Sequence, residues 1–267
     1  MPLNLSSILS WLLRHSGVYR IYERYLRGQI SAGPMPSHIG VILDGNRRWA
    51  AGRGLPTYMG YRFGADVAEN LLEWCRELGI RIVTLYILST ENLSRRREEL
   101  SEIFRLLAER LERLSRDPRL EKYRVRVRAL GRLHLLPEHI RRLLEDLEES
   151  TRHHDGFYLN VALAYGGRRE ILDAVKKVVD DYSQGKIKVE ELDEERFSRY
   201  LYTGHLPKPD PDLIIRTSGE ERLSNFLLWQ SAYSELVFLD VAWPEFRKID
   251  LMRAIRIYQR RQRRFGL

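Results

Sequence analysis

The sequence predicts an α/β fold with a six-stranded, mostly parallel sheet surrounded by helices. Six stretches are apolar, and several are β-branched and end in Gly or Ser, as buried strands often do. Helical patterns lie between most of these stretches, and such alternation is typical of a parallel sheet. The 267 residues are 43% hydrophobic, which is enough to bury one large core or two smaller ones.

The elements can be placed in order along the chain. The predicted buried strands are residues 38–45, 81–89, 123–131, 157–166, 212–219 and 235–243. The predicted helices are residues 63–78, 98–114, 138–153, 170–181, 194–202 and 251–265. Residues 183–189 and 207–211 are a polar connector and a stiff turn, and neither pattern indicates a domain boundary.

The composition narrows the class of protein. No run of about 18 apolar residues is present, so no membrane-spanning helix is predicted. The apolar patch at residues 8–13 is short and lacks a signal-peptide cleavage pattern. The single cysteine, Cys75, excludes an internal disulfide and fits the cytoplasm. The net charge of +8, with 38 arginines and seven lysines, suits phosphorylated small molecules, nucleic acid or an anionic membrane.

Polar segments follow several of the predicted strands. Ligands of parallel sheets bind beyond the carboxyl ends of the strands, which points to residues 44–46, 89–92, 165–168 and 216–219. Residues 44–49 combine an acid, a glycine, an asparagine and two arginines at the start of a predicted helix. That pattern is either an anion site whose acid is bridged to phosphate by a divalent cation, or an ordinary turn with a basic rim.

Residues 216–225 contain two arginines, a glycine and several hydroxyls, which makes a second anion site plausible. Here Ser224 can also be the N-cap of a helix at residues 225–232. Two anion sites and two acids, Asp44 and Glu235, suggest a metal-dependent reaction between two phosphorylated substrates. The sequence shows no His/Cys metal cluster, and His153 and His154 are predicted to be exposed.

Taken together, these segments resemble the cis-prenyltransferases, the family of undecaprenyl and dehydrodolichyl diphosphate synthases. The matching segments are HIGVILDGNRRW at 38–49, LYILSTEN at 85–92, YGGR at 165–168, IRTSGE at 215–220, RLSNFLLWQ at 222–230, and Glu235 with the WP pair at 243–244. The lead-in at residues 33–36 is similar to that of archaeal and eukaryotic members. The resemblance covers residues 33–267, a catalytic domain, and leaves residues 1–32 as an amphipathic helical extension.

The resemblance implies an activity. Family members extend an allylic diphosphate, here geranylgeranyl or farnesyl diphosphate, with several isopentenyl diphosphates to a long Z-polyprenyl diphosphate, the precursor of a glycosyl carrier lipid. Their sheet borders an apolar tunnel for the growing chain. One apolar helix face can line such a tunnel or simply pack in the core, and its members are Leu100, Ile103, Phe104, Leu107 and Leu111.

The resemblance also implies roles for individual residues. Asp44 and Asn92 would be catalytic, and Asp44 with Glu235 would hold Mg²⁺. Asn92 and Ser89 would belong to a proton-abstraction network, residues 45–48 would cradle the primer, and Arg216, Arg222 and Ser224 would hold isopentenyl diphosphate. The implied substrate-binding residues are Gly45, Asn46, Arg47, Arg48, Trp49, Ser89, Thr90, Glu91, Leu93, Arg95, Arg216, Arg222, Leu223 and Ser224.

The implied partners are a second copy of the chain and, for the extension, a membrane. The tail Arg264-Phe265-Gly266 resembles a family motif that reaches the partner's site, which predicts a homodimer. The apolar stripe of the extension either packs on the enzyme or contacts the inner face of the membrane; its members are Ile8, Trp11, Leu12, Val18, Tyr19, Tyr22 and Leu26. The sequence departs from bacterial members at Thr57, Tyr61, Leu93 and Glu221.

Two other functions are compatible with parts of the pattern. A catalytically silent subunit of a two-subunit prenyltransferase would usually lack the acid and arginines of the first site, yet Asp44, Arg47 and Arg48 are present. A nucleic-acid-binding protein would need aromatic residues interleaved on a basic face, and the tyrosines near residue 22 fit an amphipathic helix better. We therefore expect no nucleic-acid partner.

Overall fold

A computed structural model describes residues 17–261 of the chain. The strands are β1 His38–Ile42, β2 Ile82–Ser89, β3 Val125–Leu130, β4 Phe157–Tyr165, β5 Leu213–Arg216 and β6 Glu235–Phe238. The helices are α1 Val18–Ile30, α2 Asn46–Ala51, α3 Thr57–Glu77, α4 Arg97–Ser115, α5 Arg119–Lys122, α6 Glu138–Thr151, α7 Gly167–Ser183, α8 Glu194–Ser198 and α9 Lys248–Arg260.

The six strands form one sheet in the order β3-β4-β2-β1-β5-β6, and every neighbouring pair is parallel. This confirms the predicted fold class. Strand β1 is central: His38 pairs with Ile82 of β2, and Ile39 pairs with Leu213 of β5. The prediction that all six strands are buried is wrong for β3 and β6, which are only partly covered because each lies at an edge.

Helices cover the sheet with apolar faces spaced three and four residues apart. In α4 the buried residues are Ile103, Leu107 and Leu111, and α6 and α9 bury similar stripes. Helix α1 packs on α9 through Leu26 and Ile30, and Gln259 of α9 donates a hydrogen bond to the Ile30 carbonyl at 2.9 Å. None of the described helices is long and apolar enough to cross a membrane.

Several observed helix bounds differ from the predicted ones. Helix α7 begins three residues earlier than predicted, α8 ends four residues earlier, and α3 begins six residues earlier. Two glycines in the early part of α3 allow α2 to approach. A Cβ at Gly60 would lie 2.2 Å from the Asn46 carbonyl oxygen, and one at Gly64 would lie 2.3 Å from Asn46 Oδ1. Helix α9 begins at Lys248 and ends at Arg260, while the tail at residues 262–267 lies outside the described range.

Two other expectations are wrong. The helix predicted at residues 225–232 is a series of turns, because Ser224, Asn225 and Leu227 have φ of 48°, 65° and 44°, outside the helical region. His154 is buried at 2% exposure, whereas its neighbour His153 is exposed as predicted.

Candidate active site

The polar segments predicted from the strand ends do converge. Asp44 follows β1, Ser89 ends β2 and Arg216 ends β5, at the carboxyl edge of three adjacent strands. A cavity of about 890 Å³ opens there and continues between α3, α4 and the sheet. The predicted site residues that line it are Asp44, Gly45, Asn46, Arg47, Arg48, Ser89, Glu91, Asn92, Arg95, Arg216, Arg222 and Ser224.

Arg216 joins the two predicted anion sites. Its guanidinium donates to Asp44 Oδ2 at 2.8 Å, to Ser224 Oγ at 2.7 Å and to the Arg222 carbonyl. The side chain is only 5% exposed, so most of its donors are committed to positioning neighbouring groups. Its Nε is buried without a hydrogen-bond partner among the described residues.

Asp44 has the chemistry of a magnesium ligand. Oδ1 accepts a hydrogen bond from the Gly45 N–H at 2.7 Å and Oδ2 accepts one from Arg216. Each carboxylate oxygen has two lone pairs, so each keeps one that can face the cavity. Mg²⁺ is commonly held by one or two carboxylates plus substrate phosphates, and this carboxylate among arginines fits that arrangement.

We call the polar end of the cavity, around Asp44, Arg47, Arg48, Arg216 and Arg222, the mouth. Three of its arginines, Arg47, Arg48 and Arg222, are exposed, and each is paired with a carboxylate. Arg48 lies 3.6 Å from Asp44 Oδ1 and 3.0 Å from Glu220 Oε1, and Glu220 also pairs with Arg222. Arg47 lies 3.6 Å from Glu99. The guanidinium groups that could bind diphosphate therefore already face the cavity, each with an anionic partner that diphosphate oxygens can replace.

Tyr61 belongs to this arrangement, although its role could not be assigned from the sequence. Its hydroxyl donates to Glu99 at 2.6 Å and accepts from Arg95 at 2.9 Å. Burial, together with the hydrogen bond to Glu99, raises the pKa of Tyr61, so the hydroxyl keeps its proton. Tyr61 thus positions Glu99, the partner of Arg47.

Ser89 and Asn92 are bonded to each other at the end of β2. The Ser89 N–H donates to Asn92 Oδ1 at 3.2 Å, and the Asn92 N–H donates to Ser89 Oγ at 3.1 Å. Burial alone would raise the pKa of nearby Glu91, but hydrogen bonds from its own backbone, Ser89, Thr90 and Asn225 outweigh burial and lower it. Glu91 is therefore an anion that orders the loop.

Beyond this mouth the cavity wall is largely apolar. Its lining includes Leu72, Leu85, Val161, Ile103, Leu107 and Leu111. Leu100 and Phe104, predicted on the same stripe of α4, are not among the lining residues; Leu106 and Leu114 line it instead.

Charged side chains return deeper in the cavity. Glu69, Arg110 and Arg113 line it there, and Asp66 pairs with Arg110 from outside the lining; we call these four residues the inner cluster. It connects α3 to α4, because Arg110 donates to Glu69 at 2.6 Å and to Asp66 at 2.7 Å. It lies roughly 16 Å along α4 from Glu99, given a rise of about 1.5 Å per residue.

Several predicted site residues do not line the cavity. Trp49 packs against Phe63 with a ring-centroid distance of 5.0 Å, and Leu93 and Leu223 pack on the apolar clusters. Thr90 donates a hydrogen bond to the Glu91 carboxylate at 3.2 Å, so it contacts a lining residue without lining the cavity itself.

Glu235 lies elsewhere, so the predicted metal pair does not form within one chain. It begins β6, level with Leu213 and Ile39 across the sheet, whereas Asp44 lies beyond the Ile42–Arg216 level. Three residues of strand separate those levels by about 10 Å. Glu235 pairs instead with Arg261 at 3.0 Å.

Sequence reasoning overlooked Glu220 and Glu99. Glu220 lies inside a matched motif, but a carboxylate is not an expected ligand of an anion, so it was not selected. Glu99 lies among the charged residues of a helix, where most side chains simply face solvent. Both residues are recognised only in three dimensions, because each pairs with an arginine from another segment.

The sequence of this chain is similar to those of known prenyltransferases. The prenyltransferase family model for undecaprenyl diphosphate synthase matches residues 42–266. A tritrans,polycis-undecaprenyl-diphosphate synthase (geranylgeranyl-diphosphate specific) of Methanopyrus kandleri is 55% identical over 249 residues, 93% of this chain and 91% of the relative. One with the same name from Methanocaldococcus jannaschii is 48% identical over 254 residues, 95% and 91% of the two chains.

Two crystal structures are also similar. Lavandulyl diphosphate synthase from Lavandula x intermedia, in complex with dimethylallyl diphosphate, has a TM-score of 0.84 at 31% identity, covering 87% of this chain and 99% of that one. A probable undecaprenyl diphosphate synthase from Campylobacter jejuni has a TM-score of 0.71 at 34% identity, covering 88% and 100%.

Proposed function

The chain belongs to the undecaprenyl diphosphate synthase family, and we propose that it condenses geranylgeranyl diphosphate with several isopentenyl diphosphates to a long Z-polyprenyl diphosphate, the precursor of a glycosyl carrier lipid. The observation that carries the proposal is one cavity that joins an arginine- and carboxylate-bearing mouth to an apolar interior. Such a cavity matches a prenyl diphosphate, which has a polyanionic head and a hydrocarbon tail. The specificity named for the two archaeal relatives favours geranylgeranyl over farnesyl diphosphate as the primer.

In this proposal the mouth binds both diphosphates. Arg47 and Arg48 release Glu99, Asp44 and Glu220 to hold the primer diphosphate, while Arg222 and Ser224 hold that of isopentenyl diphosphate. Mg²⁺ at Asp44 would supply Lewis-acid stabilisation of the departing diphosphate. Arg216 keeps Asp44 and Ser224 in place, so the two substrates are aligned before reaction.

The chemical step then joins two carbons. The bond between the primer C1 and its diphosphate oxygen breaks, and the isopentenyl double bond supplies the electron pair of the new C–C bond. A proton then passes from the isopentenyl C2 to the departed diphosphate, and its electron pair forms the Z alkene. The Ser89–Asn92 pair lies at the mouth where that proton is lost, which supports its role in positioning the transfer. The extended tail occupies the apolar part of the cavity.

We also propose that the enzyme is a homodimer. Helix α7 carries a stripe of exposed apolar side chains, Leu172, Val175, Val179 and Tyr182, spaced for one helix face. Glu235 lies far from Asp44 of its own chain, so a metal role for Glu235 requires the site of a second copy. Sedimentation of the wild type and Val179→Glu tests the dimer: a monomeric wild type would contradict it.

A contact with the bilayer surface is the second proposed partner. Of the predicted stripe, Tyr19, Tyr22 and Leu26 pack on the core, and Ile8, Trp11 and Leu12 lie outside the described residues. The face of α1 that is left exposed carries Val18, Ile21 and Tyr25 beside Arg20 and Arg24. An apolar face flanked by cations suits the inner surface of an anionic membrane. Ile21→Glu should lower binding to anionic vesicles without disturbing the packed face, and equal binding would exclude α1 as the contact.

Product analysis tests the proposed activity. The purified enzyme with Mg²⁺, labelled isopentenyl diphosphate and either primer should yield long polyprenyl products, more efficiently with geranylgeranyl diphosphate. Chelation of Mg²⁺ should stop incorporation. A chain that incorporates no label with either primer would instead fit a non-catalytic subunit.

A further inference from the structure

Away from the active-site cavity, two segments bring a carboxylate and two imidazoles together. Glu121 lies in α5, just before β3, and His153 and His154 lie in the turn between α6 and β4. One ligand atom from each of the three residues can be chosen so that all lie within 4.8 Å of one another. None of the three lines the cavity.

The hydrogen bonds of His154 fix the state of its ring. Nδ1 lies 3.0 Å from the Val125 carbonyl oxygen, which can only accept, so Nδ1 carries a proton. In a neutral imidazole Nε2 then presents a lone pair, yet it lies 3.0 Å from Glu121 Oε2. Two acceptors at that separation repel unless a proton or a cation lies between them.

This arrangement matches a metal-binding histidine. Protein ligands of metals typically orient their imidazole by donating the other ring N–H to a carbonyl or carboxylate, as Nδ1 does here. Ligands bound at about 2.1 Å in a tetrahedron lie about 3.4 Å apart, close to the observed Nε2–Oε2 separation. His153 is exposed, with its ring centroid 4.3 Å from that of His154, so it can turn toward the same point.

Arg124 is a basic side chain close to the cluster, and its charge is already paired. Arg124 pairs with Asp155 at 2.8 Å and donates to the His153 carbonyl at 3.1 Å, so its charge is matched. We infer that Glu121, His153 and His154 form a site for a divalent transition-metal ion such as Zn²⁺, with a water as the fourth ligand. Two nitrogens and one carboxylate oxygen are a donor set that suits Zn²⁺.

The site would serve stability rather than the prenyl transfer. Edge strand β3 pairs only with β4, and the three ligands connect the segment before β3 to the segment before β4. A bound ion would tie the amino ends of these two strands together and would stabilise the folded state in proportion to its occupancy.

The test uses tag-free, full-length protein stripped of metal, titrated with Zn²⁺ by calorimetry and with Co²⁺ by visible absorption. We expect one ion per chain with micromolar or tighter affinity, a tetrahedral Co²⁺ spectrum and a higher Tm with Zn²⁺. His153→Ala and Glu121→Gln change exposed residues, so both variants should fold. Each should weaken Zn²⁺ binding at least tenfold and lose the increase in Tm with Zn²⁺. His139→Ala, which changes an exposed histidine of α6, should behave as the wild type.

Two outcomes would overturn the inference. Absence of stoichiometric binding would leave His154 and Glu121 as a proton-mediated pair. Unchanged binding in both His153→Ala and Glu121→Gln would place the ion elsewhere. Neither result bears on the prenyl transfer, because Asp44 and the mouth arginines are intact in every variant.

Discussion

The mouth of the cavity and its inner cluster are both built from arginines and carboxylates, but they differ in how firmly the charges are held. At the mouth, the Arg47 and Arg48 side chains are 58% and 57% exposed, and their ion pairs span 3.0 to 3.6 Å. In the inner cluster, the Arg110 side chain is 16% exposed and its contacts with Asp66 and Glu69 measure 2.7 and 2.6 Å.

The difference separates binding charges from structural ones. An exposed ion pair contributes about 0–1 kcal/mol, so a polyanionic ligand can replace either carboxylate of the mouth at little cost. The Arg110 guanidinium is mostly buried, although Asp66 is 55% exposed and Glu69 is 35% exposed. Loss of a carboxylate partner is therefore more costly for Arg110 than for a mouth arginine, because its charge would stay in a poorly solvated place. We expect the mouth to exchange partners during each cycle and Arg110 to keep its ion pairs.

Removal of the mouth carboxylate is the strongest test of this division. Asp44→Ala should abolish turnover, because the proposed metal loses its protein ligand, while the fold survives with a lower Tm, since Arg216, only 5% exposed, loses its carboxylate partner. Label incorporation and thermal unfolding measure the two effects. Asp44→Asn, which keeps an acceptor for Arg216, should be equally inactive; near-normal activity at saturating Mg²⁺ would remove Asp44 from the metal site.

Substitution of Arg48 and of Arg222 should affect the use of different substrates. Arg48→Ala should weaken use of the primer and Arg222→Ala use of isopentenyl diphosphate. Losing one charge-assisted contact costs about 1.5–3 kcal/mol, roughly 10- to 150-fold. Steady-state kinetics with each substrate varied in turn measures this effect. If both variants raise the same KM, the division of the mouth into two subsites is wrong.

A change in the inner cluster should alter the product rather than the rate of a single addition. Arg110→Leu replaces a charged part of the cavity wall with an apolar one, while the exposed Asp66 and the part-exposed Glu69 can turn to solvent. The growing hydrocarbon chain should then extend farther into the cavity, so the mean chain length should increase. Chromatography of the products measures the length. Arg105→Leu is the matched control on α4, since Arg105 pairs only at the surface with Glu102. Equal distributions in both variants would exclude the inner cluster as a limit on length.

The smallest effect concerns the apolar wall between the two regions. Leu107 lines the cavity and Phe104 does not, so Leu107→Ala should shift products modestly and Phe104→Ala should leave them unchanged in a stable protein. The same chromatography compares the two. A shift with Phe104→Ala alone would mean that the tail follows a different face of α4.

Sequence reasoning succeeded where one short segment carries the whole signal. Residues 38–49 contain both the buried strand and the acid and arginines that follow it, so fold and site could be predicted together. The pairing of Asp44 with Glu235 depends on strand polarity. Glu235 starts a parallel strand and Asp44 follows another, so the two acids of one chain lie toward opposite ends of the strands, and a shared metal site remains a prediction for two copies.

Contacts between distant segments were also beyond reach. The Tyr61–Glu99 hydrogen bond and the His154–Glu121 contact each join residues more than 30 positions apart. Nothing in the local pattern distinguishes their members from surface residues. The start of α3 was missed because Gly60 lies in its first turn and a glycine usually weakens a helix, whereas here it allows Asn46 to approach.

The central position of β1 has a consequence for how the protein acquires its activity during synthesis. Arg216 reaches Asp44 across 172 residues of chain, and the β1–β5 pairing that brings them together spans a similar separation. Contacts this distant in sequence form late and slowly. A nascent chain that ends before β5 can build β1 to β4 with Asp44, Arg47 and Arg48, but it lacks Arg216, Arg222 and Ser224. Folding of the last fifth of the protein therefore completes the active site.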